Sequence, residues 1–185
     1  MGRGSRLNRT IMRFLLALGR AVDALNEVVG TLVSWLTAFM VIVQFVVVIM
    51  RYGFGMGSIM FQESIVYMYA IVFLAAAGYA LKHDAHVRID IFYRGAPART
   101  KAWVNLIGAL AFALPFCVLI WVKSFPLVAG SWRVFERSMN PSGIPFVYVL
   151  KTFILVFAGL LFLQSLVLAY RSILALSGRD PALTS

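Results

Sequence analysis

The sequence predicts an all-α integral membrane protein, with four transmembrane helices and further amphipathic helices at the membrane surface, in a single membrane domain over 1-185. Three observations carry this. Hydrophobic residues make up 62% of the chain and charged residues only 13%, whereas soluble domains carry about 25% charged residues. Four stretches, 28-50, 64-81, 102-122 and 152-170, hold no charged residue, and each has close to the roughly 20 residues a span requires. Basic residues gather at their ends: Arg51, Lys82, Lys101, Lys123, Lys151 and Arg171, where long aliphatic stems let the charge reach the headgroups.

Taken in order, the chain opens with a basic amphipathic segment over 7-26. Ile11, Phe14, Leu15, Leu18, Val22 and Leu25 recur at helical spacing, and Arg6, Arg9, Arg13 and Arg20 share the other face. Such a helix is expected to lie in the membrane plane, held by apolar burial and anionic lipid. The apolar run from Phe14 stops at Arg20, too short for a secretory signal core of about 7–15 residues followed by a cleavage site, so this segment is expected to be retained. The first span follows at 28-50. The second, 64-81, is short, and Ile59, Met60 and Phe61 can lengthen it past Glu63. The third, 102-122, contains Pro115, which is expected to kink it. Over 124-138, Phe125, Val128, Trp132 and Phe135 keep helical spacing with Arg133, Glu136 and Arg137 elsewhere on the wheel. This predicts a second interfacial helix after a break at Pro126. The fourth span is 152-170, and 178-185 reads as a flexible tail.

Charge distribution sets the orientation. The side holding the N-terminus, the Lys82–Lys101 loop and the C-terminus carries twelve basic residues against five on the other. The positive-inside bias places both termini in the cytoplasm of a bacterial inner membrane. The net charge of +10 follows from the same placement and does not point to nucleic acid. The single cysteine, Cys117, sits in an apolar run and reads as a small hydrophobe.

The chemistry-bearing residues are few. None of the seven acids, Asp23, Glu27, Glu63, Asp84, Asp90, Glu136 and Asp180, lies in the middle of a span, where ion-coupled carriers place ionisable groups. His83 and His86 fall at the edge of the second span, not within a bundle where they would ligate haem. No phosphate loop, nucleophile elbow or paired carboxylates are present. The sequence therefore reads as a non-enzyme with no catalytic, cofactor or metal site. Gln44 and Gln164 are isolated polar residues inside spans, expected to make interhelical contacts. The four tryptophans, Trp35, Trp103, Trp121 and Trp132, are expected to form interfacial belts.

Several segments, in order, resemble the small membrane subunit of tripartite ATP-independent periplasmic (TRAP) transporters, the DctQ-like family. These are Arg51-Tyr52-Gly53-Phe54, Phe61-Gln62-Glu63-Ser64, Phe73-Leu74-Ala75-Ala76-Ala77, the signature run His86-Val87-Arg88-Ile89-Asp90, and Ser142-Gly143-Ile144-Pro145 leading through Tyr148 to Lys151. The resemblance covers about residues 24 to 171. It departs from the family pattern in having Glu63-Ser64 where many members have two acids, and Lys151 where many have proline; the latter resembles a branch that includes systems for 2-oxo acids. The resemblance implies a subunit that braces a large membrane subunit, with membrane lipids around both, and that helps dock a periplasmic binding protein. Uptake of an organic acid on a sodium gradient is then carried out by the large partner. It implies docking or interface roles for Arg51, Glu63, Arg133, Glu136, Arg137 and Lys151, while His86, Arg88 and Asp90 are expected to fix their loop's fold or to contact the large subunit rather than substrate. Two other readings stay open at this point: a membrane anchor of a redox complex, and a self-sufficient small homo-oligomeric transporter.

Overall fold

In a bilayer every backbone N–H and C=O must find its partner within the protein, so an apolar run of spanning length has little choice but to wind into a helix. The computed structural model describes residues 3–83, 95 and 97–178, with side chains from residue 15 onward. It contains four helices long and apolar enough to cross a membrane. We label them α1 (Arg3–Gly53), α2 (Ile59–Lys82), α3 (Ala98–Arg133) and α4 (Val147–Leu176). Hydroxyls inside them find acceptors one turn back: Thr31, Ser34 and Thr37 donate to the carbonyls of Glu27, Gly30 and Val33, and Ser165 and Ser172 to those of Leu161 and Leu168. These bonds satisfy polar side chains without a partner helix.

The helices form a single layer in the order α1, α2, α4, α3, and α4 also reaches α1 at the Lys82 end. Small residues bring the axes together, as expected where lipid removes the hydrophobic drive between helices. Gly30 lies under the Tyr79 ring, where a Cβ would stand 2.2 Å from Cδ2. Gly78 meets both Asn26 and Leu160, and Gly19 faces Val167. The core lies along α4, whose buried residues include Ala158, Leu160, Leu161, Val167, Ala169 and Leu174.

Two surface helices expected from the sequence are absorbed into longer ones. The segment 7-26 and the span 28-50 wind into one continuous α1; among its placed side chains, Val22 and Asn26 are buried within the layer. The segment 124-138 likewise does not start a new helix at Pro126, because α3 continues through that proline to Arg133. Loss of one intrahelical bond at a proline does not end a helix whose neighbouring turns pack on α4. At Pro115, where a kink is expected, the helix shows a π-helical turn over Gly108–Ala113 ending two residues before the proline, where wider winding relieves the ring against the preceding turn. The tail beyond Gly178 lies outside the described residues.

These packing contacts also fix the relative heights of the charge-free windows. Set against Gly30–Tyr79, Gly78–Leu160 and Trp121–Gly159, the window centres shift toward the Lys82 end by about 3, 6 and 7 residues from α1 to α2 to α4 to α3. At a rise of 1.5 Å per residue this is roughly 4–10 Å per step, against the 8–10 Å between packed helices. A bilayer enclosing all four windows would therefore cut the layer obliquely. Oblique spans need more than the roughly 20 residues of a perpendicular one, and Leu15–Gly53 and Ala98–Arg133, of 39 and 36 residues, are longer still.

A matched pair of substitutions tests the close approach of α1 and α2. A Cβ at Gly78 would stand 2.1 Å from Asn26 Oδ1, whereas one at Gly108 meets nothing within 4 Å. Gly78→Ala is expected to destabilise the protein by about 1–3 kcal/mol and to lower its unfolding midpoint in detergent, with Gly108→Ala unchanged. Equal behaviour of the two would refute the packing.

Candidate functional site

Two polar clusters, one near each end of the layer, carry nearly all the side-chain chemistry described. The first is at the Lys82 end. Asp23, Asn26, Glu27 and Gly30 follow one another at helical spacing on α1, so they line one face. Asn26, fully buried, donates from Nδ2 to Gln164 Oε1 on α4 at 2.8 Å and to its own Val22 carbonyl at 3.1 Å. Gln164 Nε2 donates to Asp23 Oδ1 at 3.2 Å, and Asp23 pairs with Arg171. From α2, Lys82 pairs with Glu27 and donates to the Asp23 carbonyl, while His83 Nε2 lies 3.0 Å from the same Glu27 carboxylate. Three helices are thereby tied together by one connected network. Asn26 Oδ1 has no conventional donor; it faces the Gly78 Cα, whose hydrogen offers the weak C–H···O contact common where helices approach closely.

The second cluster closes the opposite end. α3 stops with Phe135 in the left-handed region, φ 44°, and the amides of Glu136 and Phe135 reach back to the carbonyls of Ser131 and Trp132. This is a Schellman arrangement with phenylalanine where glycine is usual. The Phe135 ring compensates by packing edge-on to Tyr148, 5.6 Å between centroids, beside Trp132 at 4.6 Å. Trp132 Nε1 also donates to Thr152 Oγ1 at 2.9 Å, which gives this tryptophan a structural bond beyond a belt role. Glu136 is held by Lys151 and by the Ser131 hydroxyl. These two donors, Lys151 first, keep its carboxyl below the ordinary glutamate range.

Glu63, just past the first turn of α2, faces inward to the 138–144 loop. It accepts from Ser138 Oγ, from Asn140 Nδ2 at 2.9 Å and from the Ile144 amide at 2.7 Å. Gly143 must be glycine here, since a Cβ would stand 2.3 Å from Ser138 Oγ and 2.6 Å from Glu63 Oε2. Tyr67 adds a bond to the Ile144 carbonyl at 3.4 Å.

The residues singled out by sequence therefore divide. Glu63, Glu136 and Lys151 are occupied within the chain, Gln164 is central to the first cluster, and Arg51, Arg133 and Arg137 are exposed with no ion pair among the described residues. Gln44 is exposed on α1 and likewise has no partner there. His86, Arg88 and Asp90 lie outside the described residues. Sequence reasoning passed over Asn26 altogether and treated Asp23 and Glu27 only as acids outside the span centres. Their three- and four-residue spacing, continued by Gly30, is the signal that groups them.

Comparison with known proteins gives a consistent picture. The family model for the DctQ component of tripartite ATP-independent periplasmic transporters matches residues 40–175. The C4-dicarboxylate TRAP transporter small permease protein DctQ of Vibrio cholerae serotype O1 is 30% identical over 116 residues, 63% of this chain and 45% of the relative. The match thus spans less than half the length of that curated relative. No solved structure matches.

Two measurements test the second cluster. A carboxylate whose folded pKa is depressed stabilises the fold above its unfolded pKa, and that contribution is lost as pH falls through the folded value. Wild type is therefore expected to lose more stability than Glu136→Gln as the pH is lowered from about 5 to 3, below the ordinary range for glutamate; parallel curves would contradict the pairing. Glu63→Ala is expected to speed hydrogen exchange at the Ile144 amide at least about tenfold, since that amide loses its acceptor and its loop loses its anchor. Unchanged exchange would show that Glu63 does not hold the loop.

Proposed function

The chain belongs to the DctQ family of tripartite ATP-independent periplasmic transporters, and from that premise we propose that it braces a large membrane subunit and helps receive a periplasmic binding protein. Members of this family are transporter components rather than enzymes. The transported molecule is an organic acid, with C4-dicarboxylates and 2-oxo acids the first to test, and the driving force is a sodium gradient used by the large subunit. Both termini face the cytoplasm of the inner membrane, the side that the twelve basic residues favour.

The family match over residues 40–175 is the observation that carries this reading, and the geometry supports it. A brace must hold its shape while its partner moves. Here acids and amides near the spans are spent on ties within the chain: Asp23, Asn26 and Gln164 at one end, Glu63 and Glu136 at the other. What remains outward at the Lys151 end is basic: Arg51, Arg133 and Arg137. In the proposed orientation they face the periplasm, where they complement an acidic surface on a docking protein and raise its rate of encounter more than its final affinity.

Transport of a labelled dicarboxylate into proteoliposomes tests the reading. Uptake is expected only when this chain, the large subunit and the binding protein are all present, and only with an inward sodium gradient. Uptake by the large subunit and binding protein without this chain would overturn the brace. Arg133→Glu combined with Arg137→Glu is expected to cut uptake about tenfold at limiting binding protein, with recovery at saturating amounts.

A further inference from the structure

Between α3 and α4 an apolar groove of about 420 Å³ opens toward the surroundings, lined by Cys117, Val118, Trp121 and Val122 of α3 and by Gly159 and Phe162 of α4. Its floor is low because Gly159 has no side chain, and a Cβ there would stand 3.4 Å from the Trp121 ring. Polar lining is nearly absent, so the groove suits a hydrocarbon chain rather than a soluble ligand. Lys123 follows the α3 lining directly, is exposed, and makes no ion pair or hydrogen bond among the described residues. Lys123 ends the charge-free stretch 102-122 of α3, where a basic residue marks the headgroup boundary, and the groove residues of α3 lie directly beneath it.

We propose that this groove and Lys123 together form a binding site for an anionic phospholipid, one acyl chain lying along Cys117–Val122 and the phosphate meeting the Lys123 ammonium. The two halves of the site ask for different chemistry, hydrocarbon below and an anion above, and a single amphiphile supplies both. An ammonium at the headgroup boundary gains a charge-assisted hydrogen bond when a lipid phosphate meets it. A partner helix would fill the groove but would need its own acid at the same height. The site is distinct from the two polar clusters and does not depend on the transport reading.

Photo-crosslinking of the full chain in phosphatidylcholine vesicles tests it, alone and assembled with its large subunit. Phosphatidylglycerol or phosphatidylcholine with a diazirine on one acyl chain is the probe, and labelling is read at residues 117–122 and 158–163 by peptide mapping, which separates this site from the arginine-rich N-terminus. The phosphatidylglycerol probe is expected to label these residues at least about fivefold more than the phosphatidylcholine probe. Lys123→Gln should bring the two within about twofold, and Val118→Trp, which fills the groove from an exposed position, should reduce labelling by both. Equal labelling of wild type by the two probes, or no change in Lys123→Gln, would overturn the proposal. Loss of labelling on assembly with the large subunit would also overturn it, by assigning the groove to a protein helix.

Discussion

Asn26 is a buried amide on a helix otherwise surrounded by lipid-compatible side chains, and the rest of the layer depends on what it does. Left alone it would cost several kcal/mol in hydrocarbon. Its bond to Gln164 joins the first helix to the fourth, and the Gln164 bond to Asp23 returns the tie to the first helix one turn away. Close approach is a condition of this arrangement. Gly78 must lack a side chain for Asn26 to fit, and Gly30 must lack one for Tyr79 to lie across it. The polar tie and the glycine contacts thus require each other, and they fix the height at which each helix sits.

Once those heights are fixed, several otherwise unrelated features follow. The charge-free windows fall in a stagger, so the membrane crosses the layer at a slant. Helices somewhat longer than about 20 residues become necessary rather than excessive. Lys123, which would sit near mid-depth in an upright bundle, reaches the headgroups. At the far end, Glu63 and the Glu136–Lys151 pair hold the loop after α3 against α2 and α4. The two ends are thus closed by internal bonds, while the broad faces of the layer stay apolar and exposed.

Much of this was legible in the sequence, for a physical reason. Lipid forces apolar runs into helices, so absence of charge alone located all four spans, and the ordered motifs from Arg51 to Lys151 pointed to the family. What could not be read was whether a helix stops. The amphipathic pattern before Val28 and the aromatic spacing after Lys123 suit a surface helix and the extension of a tilted span equally well, and only packing against α2 and α4 decides. Pro126 looked like a break because proline removes one bond, but neighbouring turns carry the helix through. Glu63 and Glu136 looked available for a partner because their donors, Ser138, Asn140 and the Ile144 amide for the first and Lys151 for the second, come from segments brought close only by the fold.

The account rests most heavily on the tie between Asn26 and Gln164, and a double-mutant cycle measures it directly. Asn26→Leu, Gln164→Leu and the double substitution would be compared by reversible unfolding in lipid–detergent mixtures. The account predicts a coupling of about 0.6–1.7 kcal/mol, the range found for interhelical hydrogen bonds in membranes, with the double variant less damaged than the sum of the singles. Strict additivity would show that the two amides act independently and that something else holds the layer together.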